Sequence, residues 1–184
     1  MDLEGTVAAL AATPGSIALH ESLYAYSFVE TAHVLAIALF VGSIAMVDLR
    51  LLGVGFAATP VSQMTGRILP WTVAGFILMA VTGLLLFYAI PERTFHSVWF
   101  RAKLVLLLVA AVNIAIFHLR VQRDQGRWDE GPAPRGAKVC AVLSLAVWAG
   151  VVVTGRMIAY NWFDCDRPQG ALIQALAACP PTEF

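Results

Sequence analysis

Charge is what this sequence has least of. Only 13% of its 184 residues are Asp, Glu, Lys or Arg, about half the share of a soluble domain. That scarcity, with 59% hydrophobic residues and a mean hydropathy of +0.76, excludes an ordinary soluble protein and implies an integral membrane protein. Net charge is zero, so no nucleic-acid partner is expected. The N-terminal stretch "MDLEGTVAALAATPGS" has no basic n-region, and its first charges are Asp2 and Glu4. It reads as a retained segment at the membrane interface rather than a cleaved signal. The chain has no GxSxG, no Walker loop and no GxGxxG after a strand. It also lacks the HxxxH, CxxC or Met-rich run that would argue for a dedicated metal site.

What is present is four long apolar runs, at about 25–47, 69–90, 102–121 and 138–160. Each is long enough to cross roughly 30 Å of hydrocarbon at about 1.5 Å per residue. The connectors carry Pro, Gly or clustered charge, as helix ends do. No alternating ten-residue segments point to a barrel. The expected fold is all-α: a polytopic four-helix membrane bundle forming a single domain over 1–184, with a tail at 161–184.

Basic residues set an expected orientation. Arg50, Arg67, Arg120, Arg123, Arg127, Arg135 and Lys138 fall in or beside the first and third connectors. The opposite side has Arg93, Arg101, Lys103 and Arg167. Both termini are therefore expected outside, in the periplasm of a bacterial inner membrane. Cys165 and Cys179 both fall in the outer tail, where a disulfide can form. Cys140, at the start of the last span, reads as a small buried residue.

The first and third spans superimpose without a gap, residues 32–50 upon 102–120. The overlay sets His33 on Lys103 and Asp48 on His118. The second and fourth spans share Ala-Gly followed by Val-Thr-Gly, at Ala74–Gly75 and Val81–Gly83 against Ala149–Gly150 and Val153–Gly155. The spacing inside that second match differs. A repeat of two helical hairpins accounts for both overlays.

An ionisable group inside a bilayer costs at least a few kcal/mol, so it should face the bundle with a partner. Glu30 and His33 lie on one helical stripe with Ile37, Phe40 and Ile44. Three readings of them stand open. In one, His33 is the axial ligand of a b-type haem, with Glu30 as hydrogen-bonding neighbour, Lys103 and Arg156 as cationic partners, and the other axial position open or taken by Lys103 or Met157. Gly42, Gly75, Gly83, Gly150 and Gly155 would then let helices pack closely or leave room for a flat macrocycle. In the second, Glu30, His33, His96 and Met157 handle copper. In the third, the polar pairs are structural, and the chain is an assembly subunit or a transporter. His118 and Asp48 read as an inner polar pair or a second site, too far along the helix axis to share an iron with His33. His20 and His96 are expected in solvent. Asn113 is expected to bond between helices, and Arg156 either to snorkel past Tyr160 or to pair with Glu30 or an anionic ligand.

The segment "AHVLAIALFVGSIAMVDLRLL" resembles the first helix of HemJ-type protoporphyrinogen oxidases, and Trp99, Ala102, Lys103 and Leu104 resemble the start of that family's third helix. The helix pattern is also similar to copper-resistance D-type membrane domains. The HemJ resemblance implies a four-helix haem b protein that oxidises a porphyrinogen, with His33 as haem ligand and Lys103 as a functional residue. The Asn-Glu-Val-Pro-like opening of that family's helix four has no counterpart in "EGPAPRGAKVCAVL". Over about 28–120 the chain most resembles an uncharacterised group of bacterial four-helix membrane proteins, through "DLRLLG", "TGLLLF" and "KL…N…FH". These resemblances strengthen the haem reading. A redox partner or quinone, and a homo-oligomer, are the partners it suggests beside the lipid bilayer.

Overall fold

The computed structural model describes residues 3–160, 162, 163, 165 and 169–179. Asp2 and Arg167 lie outside the described residues. The elements are α1 (Leu3–Ala11), α2 (Pro14–Glu21), α3 (Ala25–Leu52), α4 (Val61–Ala89), α5 (Pro91–Phe95), α6 (Val98–Ile116), α7 (Arg135–Ile158) and α8 (Ala171–Ala177), with no strand among the described residues. A π-helical turn over Phe117–Val121 and a 3₁₀ segment over Gln122–Arg127 extend α6. The four long helices are long and apolar enough to cross a membrane. Only 17% of the most apolar stretch of α4 and 11% of that of α6 is buried inside the protein. Such apolar surface is tolerable only against lipid. The chain is an all-α, multi-pass four-helix bundle.

Local chemistry sets the helix ends. Thr13 caps α2, accepting from the Ser16 N–H at 3.3 Å, with Pro14 in the first turn. Gly53, at φ +78°, ends α3 in the left-handed conformation, its N–H directed at the carbonyls of Leu49 and Arg50. The helices outrun the apolar segments at the inner end, the end formed by the α3–α4 and α6–α7 connections. Arg50 is only 3% exposed there. Its Nε donates to the Thr59 carbonyl at 2.6 Å and a terminal nitrogen to the Asp129 carbonyl at 3.3 Å. Asp129 also caps α4 from across the molecule: its carboxylate accepts from the Ser62 N–H at 2.7 Å and the Ser62 hydroxyl at 2.5 Å. The Ser62 hydroxyl first, then its N–H, hold the Asp129 carboxyl below its usual range.

Packing follows hairpins. α3 lies along α4, α6 along α7, and α3 against α7 joins the two, while α4 and α6 share no such interface. The mid-bundle core is Phe40, Ala110, Val147, Trp148 and Val151. Phe40 meets Trp148 edge-on at 4.9 Å between centroids. A second cluster of Leu51, Val61, Ala133, Ala137 and Ala141 closes the inner end. Gly75 lets α4 approach α3, since a Cβ there would stand 2.9 Å from the Phe40 backbone nitrogen. At the opposite, outer end, α1 packs on α5 and α2 on α4. Thr13 bonds the Tyr88 hydroxyl at 2.8 Å and Ser16 donates to the Tyr88 carbonyl at 2.7 Å. The tail joins this end through α8, which rests on α6, and a disulfide between Cys165 and Cys179 closes the tail on itself.

Candidate functional site

His33 sits two turns into α3, half-buried, facing α4. Its Nδ1 stands 2.8 Å from the Thr82 hydroxyl oxygen. That oxygen is also 2.6 Å from the Leu78 carbonyl and 3.2 Å from the Met79 carbonyl of its own helix. A hydroxyl has one proton, and a carbonyl can only accept, so the proton goes to Leu78. The hydroxyl must then accept from His33, which puts the imidazole proton on Nδ1 and leaves Nε2 with a bare lone pair. Beneath the ring is Gly83, where a Cβ would stand 3.1 Å from His33 Cε1.

The second hairpin repeats the arrangement. Lys103 occupies on α6 the place His33 occupies on α3, and its Nζ lies 3.6 Å from where a Gly155 Cβ would be. The threonine of that Val-Thr-Gly, Thr154, donates along α7 to the Gly150 carbonyl at 2.9 Å. So each Val-Thr-Gly sets its glycine under the polar residue of the partner helix. The Ala-Gly half of the overlay does not repeat: Gly75 meets the Phe40 backbone and Gly150 meets the Leu106 side chain. Lys103 is half-buried, and its ammonium is near enough to act on His33 electrostatically.

The remaining candidates lie elsewhere. Glu30 is half-buried one turn before His33, but the partner of Nδ1 is Thr82. Arg156 is exposed, its guanidinium 5.1 Å from the Tyr160 ring centroid, the snorkelling arrangement. Met157 is half-buried near the outer end of α7. Among the described residues no hydrogen bond or ion pair joins Glu30, Arg156 or Met157 to His33. His96 is not in free solvent: it is half-buried, with Nδ1 3.3 Å from the Ala177 carbonyl. His20 is exposed. His118 is exposed on the π-helical turn, Nδ1 2.9 Å from the Ile114 carbonyl, and makes no bond to Asp48. Asn113 donates to the Cys140 carbonyl at 3.0 Å and so ties α6 to α7. Gly42 faces open space. No group of three His, Cys, Asp or Glu side chains that could hold a metal ion occurs among the described residues.

Sequence reasoning missed Thr82. The signal was in the second overlay: Thr82 is the middle residue of the Val-Thr-Gly that both hairpins carry.

The chain belongs to DUF6644, a family of unknown function, whose model matches residues 15–161. No curated protein matches it, and no solved structure does.

Proposed function

We propose that the protein binds a b-type haem through His33 in the outer half of a bilayer and serves redox or electron transfer. One observation carries this reading: the Leu78–Thr82–His33 chain, which holds the imidazole proton on Nδ1 and leaves the lone pair on Nε2. Histidines that ligate metals have their other ring nitrogen held in this way, and the second partner raises the ligand's basicity. The residues present fit the group. A tethered imidazole on one hairpin and a lysine at the equivalent place on the other offer an iron ligand and a cation for the propionates. Haem, when bound, supplies one-electron chemistry. The chain's own part is to orient the imidazole, to supply a cation at Lys103 near the anionic porphyrin edge, and to keep water away with the apolar walls of four helices. The resemblance to HemJ-type oxidases supports His33 and Lys103 in these roles. A porphyrinogen substrate gains no support from the site, and copper handling by Glu30, His33, His96 and Met157 finds no cluster of three His, Cys, Asp or Glu donors among the described residues.

Orientation belongs to the same proposal. The basic residues of the inner connectors would face the cytoplasm, and the Cys165–Cys179 disulfide suits an oxidising compartment at the other end. The membrane would be the bacterial inner membrane.

A second reading has its own observation in favour. Gly83 seats the His33 ring and Thr82 satisfies it, which is also what a structural polar seam between α3 and α4 requires. The colour of the preparation separates the two. Purified from haem-replete cells, the chain is expected to carry a Soret band and roughly one haem per polypeptide. A colourless preparation contradicts the haem reading and favours the seam.

A further inference from the structure

The inner half of the bundle contains a cavity of about 260 Å³ between α3, α4, α6 and α7. Its walls are chiefly apolar, among them Phe40, Ile44, Ile68 and Trp148. Asp48 stands in that wall, 6% exposed; the Ser144 hydroxyl bonds its carboxyl, but Oδ2 is buried and without a hydrogen-bond partner. A buried carboxylate oxygen with nothing to bond is costly and rare. Among the described residues no cation answers it. Arg50, two residues on, turns to the carbonyls of Thr59 and Asp129. His118 lines the cavity too, but its Nδ1 is engaged by the Ile114 carbonyl. Cys140, the other titratable group facing the cavity, brings no positive charge.

We infer that this cavity binds a lipophilic ammonium, with the apolar body among the four helices and the N–H directed at Asp48. One ligand of that class resolves both anomalies, filling the apolar volume and pairing the carboxylate by a charge-assisted hydrogen bond. The site is independent of the haem reading. Asp48 lies 15 residues beyond His33 on the same helix, roughly 22 Å along its axis.

The test is equilibrium dialysis of radiolabelled 1-adamantylamine against the full chain in nanodiscs, with empty nanodiscs subtracted. Saturable binding is expected, weakened at least about tenfold by Asp48→Asn, which keeps shape and removes charge. Thr65→Phe keeps the carboxylate and fills the cavity from α4, so it should also weaken binding. It keeps the proposal falsifiable if Asp48→Asn does not fold. Absence of saturable binding overturns the proposal, as does equal affinity in wild type and either folded variant. The neutral isostere 1-adamantanol should bind far more weakly. Equal, Asp48-dependent binding of the alcohol would overturn the ammonium assignment.

Discussion

His33 Nδ1 lies 2.8 Å from the Thr82 hydroxyl, and the Leu78 carbonyl, 2.6 Å from that same oxygen, dictates which of the two donates. The contact therefore does more than satisfy a polar atom. It selects one tautomer and leaves one nitrogen available.

Thr82→Val removes the acceptor while preserving shape. If His33 ligates haem, affinity should fall about 10- to 100-fold, the usual effect of losing a ligand's outer partner. Thr82→Ser should restore most of it. Haem content by pyridine haemochrome assay, at fixed protein and graded haem, reads both variants. Unchanged haem affinity in Thr82→Val would remove Thr82 from the site.

Gly75→Ala should destabilise the α3–α4 hairpin by about 1–3 kcal/mol, the usual cost of overpacking. Its new Cβ would stand 2.9 Å from a backbone nitrogen, which cannot swing aside. Gly42→Ala meets open space and should be neutral or slightly stabilising, as Ala is a better helix former. Thermal unfolding in one detergent compares them, and equal midpoints would refute the close approach.

Cys165→Ser should lower stability by roughly 3 kcal/mol if the chain-entropy account of a loop of about 15 residues holds. The loss should fall on the tail and α8, while α3, α4, α6 and α7 stay folded. Hydrogen exchange resolves the two regions. A uniform rise in exchange would contradict a local staple.

Asp129 gives a pH dependence. Its folded pKa lies below the unfolded value because Ser62 stabilises the carboxylate. The folded state therefore binds fewer protons than the unfolded one between the two pKa values. The stabilisation is complete above the unfolded pKa, about 3.9, and is lost as pH falls through the folded pKa. Asp129→Asn should flatten that acid limb of the stability profile. An identical limb in the variant would show that other carboxylates cause it.

Much of the architecture was legible because bilayer chemistry simplifies sequence. Only helices can bury their backbone in lipid without partners, so four apolar runs had to become four spans. Placement of the single polar residues was less legible. A run such as "SFVETAHVLAIALFVG" gives the face of His33 but not which neighbouring helix meets it, so Glu30, one turn away, is the partner it suggests. Thr82, 49 residues along the chain, depends on hairpin register. The apolar runs stop short of the inner helix ends for a related reason. Arg50 reads as an interfacial charge, whereas carbonyls from Thr59 and Asp129 bury it. Asp48 and His118 share a depth near the inner end, which suggests a pair, yet His118 turns back to its own helix and Asp48 Oδ2 has no hydrogen-bond partner.

The central claim is that His33, and not His118, presents the open imidazole nitrogen to a haem. The absorption spectrum of His33→Ala and His118→Ala, both purified from haem-replete cells beside wild type, tests it most directly. The account predicts that the Soret band disappears in His33→Ala and is largely retained in His118→Ala. A band that survives loss of His33 would contradict it.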